Sequence, residues 1–256
     1  MDLWVAVMGL AVGFLVGLTG VGGAALLTPV LVIVGVNPSI AVGTDLFYNS
    51  ITKLFGTIQH YRQKTIQIKV VGYLASGSIP GAIAAIGLLT IFDRFFKNQE
   101  SLITHALGFM LIVVAVATLY KQFFNRKTEP NRLQQKAIEQ KKWLTVGIGF
   151  VLGFVVGLTS VGSGSLFALA LIYLFTMKGA EVVGTDIAHA FLLVTVAGVL
   201  HAGLGHVDFG LAFNLLIGSI PGVWMGSTLS AKLPTRPLRA IVAGLILISG
   251  IKLLNP

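Results

Sequence analysis

The sequence predicts an all-α polytopic membrane protein built from two inverted-topology repeats of about five hydrophobic segments each. Three observations carry this. The 256-residue chain is 55% hydrophobic and 11% charged, whereas a soluble domain carries about 25% charged residues. Stretches 3–44, 70–92, 101–120, 143–177, 187–207 and 209–231 contain no Asp, Glu, Lys or Arg, and a membrane-crossing helix needs about 20 apolar residues. Finally, motifs recur at one spacing. "AVGTDLFYNS" (41–50) returns as "VVGTDIAHAF" (182–191), "GSIPG" at 77–81 returns at 218–222, and His60 returns as His201, all offset by 141. "GLTGVGG" at 17–23 returns as "GLTSVGS" at 157–163. Self-similarity at a fixed period marks a duplicated unit.

The first unit spans 1–120, with hydrophobic segments at 3–18, 22–36, 39–59, 70–92 and 102–120. A basic polar linker, 121–142, follows. The second unit spans 143–256, with segments at 143–158, 164–177, 182–201, 209–231 and 238–254. The N-terminus has Asp2 and no basic stretch, so it is read as a first segment and not as a cleaved signal.

An odd number of segments per unit makes the second copy enter the membrane from the opposite side. The charges agree. With the linker cytoplasmic, fourteen Lys and Arg lie inside and three outside, leaving Lys53 within a segment. Loop 60–69 is basic and its counterpart 202–208 has no Lys or Arg. Loop 93–100 is balanced and its counterpart 232–239 is basic. The bias inverts between copies, as inverted topology requires. The same reading absorbs the net charge of +9: the basic residues cluster in the linker and no nucleic-acid recognition motif accompanies them. Trp4, Trp143 and Tyr120 end their segments and read as interfacial anchors.

The first two segments of each unit are too short to span comfortably. Glycine-rich "TGVGG" and its copy break the helix there, and each pair can form a re-entrant hairpin. Irregular backbone at membrane depth is tolerated only against protein or a water-filled cavity. Inverted repeats bring two such breaks together near the midplane, where transporters bind substrate. The helix after each break offers free N–H groups and a positive dipole end. Glycine lets a ligand approach, and hydroxyls add donors. Thr19, Gly20, Gly22, Gly23, Thr159, Ser160, Gly162, Ser163, Gly164 and Ser165 are therefore the candidate substrate-binding residues. They suit an oxyanion with no fixed cation. "GSIPG" reads instead as close helix packing.

Ionisable residues at depth are functional candidates by default. Asp45, Asn49, Lys53, Gly56 and His60 share one helix face. In the second copy Asp186, His189 and His201 form a partial stripe, with Ala190 in place of Asn49 and Val194 in place of Lys53. Thr44, Asp45, Asn49, Lys53, Thr185, Asp186 and His189 are candidates for coupling or for helix capping. The aspartates either cap neighbouring helix ends or carry a proton, with His60 and His201 as relays.

These residues resemble the TauE/SafE family of sulfite-exporter-like membrane proteins. "GLTGVGGAALLTPVL", "AVGTDL" and "GLTSVGSGSL…VVGTD" carry the resemblance over nearly the whole chain. It implies a transporter of small sulfur-containing anions, such as sulfite or organosulfonates, in the plasma or inner membrane. The second tip departs at Ser160, Ser163 and Gly164, where the first has Gly20, Gly23 and Ala24.

The expected activity is secondary transport, and export is the direction the resemblance favours. Alternating access would work on an anion site between the two breaks. Two alternatives stay open: a passive anion channel, and a cation- or proton-coupled transporter using the aspartates. There is no P-loop, H-E-x-x-H or G-x-S-x-G and no cysteine, so neither an ATPase nor an intramembrane hydrolase is expected. No cofactor or metal is implied. The expected partners are the lipid bilayer and a small anion. Small-xxx-small spacing is common here, which leaves a homo-oligomer open without assigning one.

Overall fold

A computed structural model describes residues 3–19, 23–96, 99–124, 131–230 and 235–255. Among them the chain is all helical. The order is α1 (Leu3–Thr19), α2 (Ala24–Ile33), α3 (Pro38–Arg62), α4 (Ile68–Phe96), α5 (Gln99–Phe124), a 3-10 turn at Glu139–Lys141, α6 (Lys142–Thr159), α7 (Ser165–Leu174), α8 (Gly179–Gly203), α9 (Phe209–Ser230) and α10 (Thr235–Leu254). Among the described residues, five regions are long and apolar enough to cross a membrane: Ile68–Phe92, Glu100–Tyr120, Glu139–Thr159, Gly179–Gly203 and Phe209–Leu229. Trp4, Trp143 and Tyr120 are exposed, as are Phe55, Ile91, Val199 and Ile248. Such apolar surface suits a lipid solvent.

Several sequence boundaries shift. The helix expected to end at 120 continues through Phe124, because Lys121 and Gln122 are good helix formers and do not interrupt the ladder. The segments expected at 22–36 and 164–177 are helical only over Ala24–Ile33 and Ser165–Leu174, 10 residues each. Each rises about 15 Å, half of a roughly 30 Å hydrocarbon core.

For the second pair the chain turns back. The Lys141 ammonium, immediately before α6, donates to the Leu174 carbonyl at the end of α7 over 2.8 Å. Asn131 and Gln134 donate to the Tyr173 and Ile172 carbonyls. The exposed carbonyls at this helix end, which lack intrahelical partners, are thus covered by linker side chains. The end of α7 therefore lies beside the start of α6.

Packing interleaves the two copies. Helix α1 lies on α9, α4 on α6, α3 on α8 and α5 on α10. Exchanging α1–α5 with α6–α10 maps this set of pairs onto itself. Glycines make the α1–α9 and α4–α6 crossings close. A Cβ at Gly218 would sit 1.8 Å from the Ala6 carbonyl oxygen, and one at Gly153 would sit 2.2 Å from that of Ser78. Gly77, Gly81, Gly218 and Gly222 of the two "GSIPG" copies all face partner backbone, which is the packing role expected of them. Two apolar cores result. One gathers around α2 with α1, α5, α9 and α10; the other gathers around α7 with α4, α6 and α8.

This geometry separates two conservative changes. Gly153→Ala drives a methyl into the Ser78 backbone and should destabilise by about 1–3 kcal/mol, the usual cost of overpacking. Gly147→Ala meets nothing within 4 Å and should be neutral. Thermal unfolding of the two variants in one detergent measures the contrast.

Candidate functional site

The repeated Val-Gly-Thr-Asp is built position by position. Its threonine caps a helix of the other copy. Thr44 Oγ1 accepts from the Asp208 backbone N–H, at the start of α9, over 3.0 Å. Thr185 Oγ1 accepts from the Gln67 backbone N–H, at the start of α4, also over 3.0 Å. Its glycine admits the loop that brings that N–H. A Cβ at Gly43 would lie 2.0 Å from the His206 carbonyl oxygen, and one at Gly184 would lie 2.7 Å from Thr65 Oγ1. Thr44 and Thr185 are therefore capping residues.

The histidines belong to the same two corners. His60 Nδ1 lies 2.8 Å from Thr65 Oγ1. His201 Nε2 lies 3.1 Å from the Gly157 carbonyl oxygen, and its ring is 5.6 Å from that of His206. Burial disfavours the charged form of the His60 imidazole, in the basic loop region, and holds its pKa below the ordinary value.

The aspartate does something else. Asp45 is fully buried, and among the described residues it is held by side chains. Its Oδ2 accepts from Thr28 Oγ1 of α2 over 2.8 Å and from Ser160 Oγ of the second tip. Its Oδ1 accepts from Asn49 Nδ2 over 2.8 Å. Burying a charge requires such pairing. Four residues beyond Asn49, the Lys53 ammonium donates to the Ser163 carbonyl over 3.0 Å, within electrostatic reach of Asp186 and Asp45. One stripe of α3, Asp45–Asn49–Lys53, thus receives the second tip. The first described residue after the first tip reaches it too: a Cβ at Gly23 would be 3.6 Å from Asn49 Oδ1.

The second tip is bent. Ser160 ends α6 at φ 61 and Gly162 follows at φ 102, in the left-handed region that only glycine occupies freely. Ser163 is buried. The helices that start after the tips, α2 and α7, have Gly23 and Gly164 at their N-caps and no side-chain cap bond. By contrast, α3 is capped by Asn37. Ser165 is the first residue of α7. Thr159 is tied back, its hydroxyl donating to the Val155 carbonyl over 2.8 Å. Thr19 closes α1; its side chain, with Gly20 and Gly22, lies outside the described residues. The expectation of a tip without a fixed cation is corrected here. Lys53, 110 residues away in sequence, brings its ammonium to Ser163, a contact that no local pattern announces.

Sequence reasoning missed Thr28, Ser78, Tyr48 and Ser219. His189 Nε2 lies 2.8 Å from Ser78 Oγ and its ring packs 4.3 Å from that of Phe167. Tyr48 and Ser219 are both buried. The two pairs occupy equivalent places in the repeat, and the offset of 141 could have disclosed them. Thr28 carries no signal beyond being polar in an apolar run. A surface recess lined by Phe14, Trp224, Met225, Thr228 and Leu229 is mainly apolar and shares no residue with the stripe.

A multi-pass bundle with broken helices and a buried charged stripe is the architecture of a membrane transporter. The chain matches the model of the Sulfite exporter TauE/SafE family over residues 5–253, and it belongs to that family. It is 61% identical over 254 residues to "Probable membrane transporter protein YjnA" of Bacillus subtilis strain 168, covering 99% of this chain and all of the relative. "Probable membrane transporter protein YunE" of the same organism is 26% identical over 274 residues, with 97% and 95% coverage. "Probable membrane transporter protein MJ0441" of Methanocaldococcus jannaschii is 20% identical over 270 residues, with 97% and 93% coverage. No solved structure matches. The protein is a multi-pass transporter of the cell membrane.

The cross-copy caps make a direct prediction. Thr44→Val or Thr185→Val should each cost about 1 kcal/mol, as lost helix caps do. The double variant should cost the sum, because the caps share no partner. Thermal unfolding of the three proteins checks both statements.

Proposed function

We propose that the protein carries a small anion, of the sulfur-oxyanion class, by alternating access around the second tip and the α3 stripe. The carrying observation is the convergence of three positive features. The N-termini of α2 and α7 have no side-chain cap, and the Lys53 ammonium stands at Ser163. Backbone N–H groups and a helix dipole hold an oxyanion without further cations. Gly162 keeps a side chain out of the approach, and Ser163 and Ser165 supply hydroxyls beside it. The family's printed name, sulfite exporter, favours sulfite, an organosulfonate or a related anion as cargo and outward movement as direction.

The two copies run with inverted topology, and the 121–142 linker is cytoplasmic. Two sets of contacts support this arrangement. Segments assigned to the cytoplasmic face meet one another: Lys69 pairs with Glu139, and Gln67 donates to Glu181. Segments assigned to the outer face do the same, with Asn37 donating to Glu100. Alternating access then follows from exchanging the roles of two hairpins that enter from opposite sides.

A thermal-shift panel tests the reading on purified protein with sulfite, sulfate, thiosulfate, methanesulfonate, chloride and divalent cations. A bound sulfur oxyanion at 100 times its Kd should stabilise by about 2.7 kcal/mol. Gly162→Leu should abolish that response, since a side chain at φ 102 both strains the tip and fills the approach. Undiminished stabilisation of the variant removes the tip from the site, and stabilisation by cations alone overturns the anion reading. Saturable flux with counterflow in proteoliposomes is expected of a carrier and not of a channel.

A further inference from the structure

An anion site at the second tip has a resident occupant. Asp45 Oδ2 takes the hydrogen bonds of two hydroxyls, Ser160 Oγ from the tip and Thr28 Oγ1 from α2. Both are the kind of donor that an oxyanion would use. Asn49 Nδ2 holds the other carboxylate oxygen. The Lys53 ammonium, the one cation of the stripe, is shared electrostatically by Asp45 and Asp186. A free anion entering this place meets donors already engaged and a like charge beside it.

We propose that Asp45 is a tethered stand-in for the transported anion, and that one proton on Asp45 releases the tip donors to the substrate. The inference rests on the anion-site reading above and deepens it. Protonation at Oδ2 turns that oxygen from the acceptor of two hydroxyls into a donor. Ser160 and Thr28 are then free to turn to the substrate, and the like charge is gone. The proton comes from the solvent on the side of entry and leaves to the solvent on the side of release. No other bond forms or breaks. Transport of a monovalent anion becomes electroneutral symport with one proton. When the site is empty the carboxylate returns to the donors, so the tip is satisfied in both states. That meets the requirement that buried polar groups keep partners.

Several elements bring titratable groups near this stripe. On α3 itself Lys53 and Tyr48 face Asp45 electrostatically. From α8, Asp186 and His189 act on Lys53. Helix α2 and the α6–α7 tip bring hydroxyls to Asp45. From the start of α9, Asp208 engages Thr44 through its backbone. On α5, Glu100 is held by Asn37 and His105 by Ser101. The two copies differ in sequence at these positions. At the position equivalent to Asn49 the second copy has Ala190, and the first tip has Gly20 where the second has Ser160.

Calorimetric titration of the intact detergent-solubilised protein tests this. Sulfate and methanesulfonate are the probes, because their own proton equilibria lie far below neutrality. Each titration is run in two buffers of different ionisation enthalpy. Wild type should take up about one proton per bound anion, and its Kd should rise about tenfold per pH unit on the alkaline limb, as one-proton linkage requires. Asp45→Asn should bind with no proton uptake and a flat pH profile. Ser160→Ala should bind more weakly and still take up the proton. Binding to wild type without proton uptake overturns the inference and leaves the anion site standing. So does an unchanged pH profile in Asp45→Asn. Should Asp45→Asn fail to fold, the wild-type proton count decides alone. If wild type binds neither these probes nor sulfite or thiosulfate at any pH, the anion site falls and this inference falls with it.

Discussion

Two of the crossings in which glycine meets backbone hold the rest in place. Helix α1 presses on α9, and α6 presses on α4, closely enough that carbonyl oxygens fill the space a β-carbon would take. Lipid tails are as apolar as leucine, so membrane helices gain little by hiding apolar surface from them. Close van der Waals contact is the attraction that remains. These crossings fasten the first arm of each short pair to a long helix of the other copy, and a break inside the protein becomes tolerable there. Without them the tip backbone would face lipid with unmet hydrogen-bonding groups.

The scaffold is symmetric and its centre is not. Capping threonines, loop-admitting glycines and buried polar pairs occur twice, at matching places. The charged stripe occurs once in full, on α3. Asp45 collects three side-chain donors, one of them from the second tip, whereas the second copy has Ala190 and Val194 where α3 has Asn49 and Lys53. A duplicated frame supplies equal corners. On the proposed reading, divergence at a few positions then builds one chemical site. On the proposed reading the symmetry serves the movement and the asymmetry serves the cargo and its coupling.

Much of the frame was legible. Composition excludes a soluble fold, and the offset of 141 locates both copies and their loops. The same offset singles out the Val-Gly-Thr-Asp residues without saying what they do. Thr44 looked as fit for coupling as for capping, since its partner, the Asp208 backbone N–H, carries no sequence signature of its own. The carboxylates looked alike for the same reason. Only the surroundings distinguish Asp45, with Thr28 and Ser160 upon it, from Asp186. The tip seemed free of cations because three helices separate it from Lys53, which sits on a helix whose rotation no pattern reveals.

The sequence by itself determined the class, the duplication, the places where helices break and the residues too polar to be there by chance. Hydropathy, glycine placement and self-similarity are local or periodic properties, and a single chain displays them directly. Tertiary structure decided which polar atoms meet. Ser160 finds Asp45 115 residues away, and Thr185 finds Gln67 118 residues away. Those meetings follow from how helices of the two copies cross and turn about their axes. Crossing and rotation are set by side-chain packing over the whole bundle, and no stretch of sequence contains them.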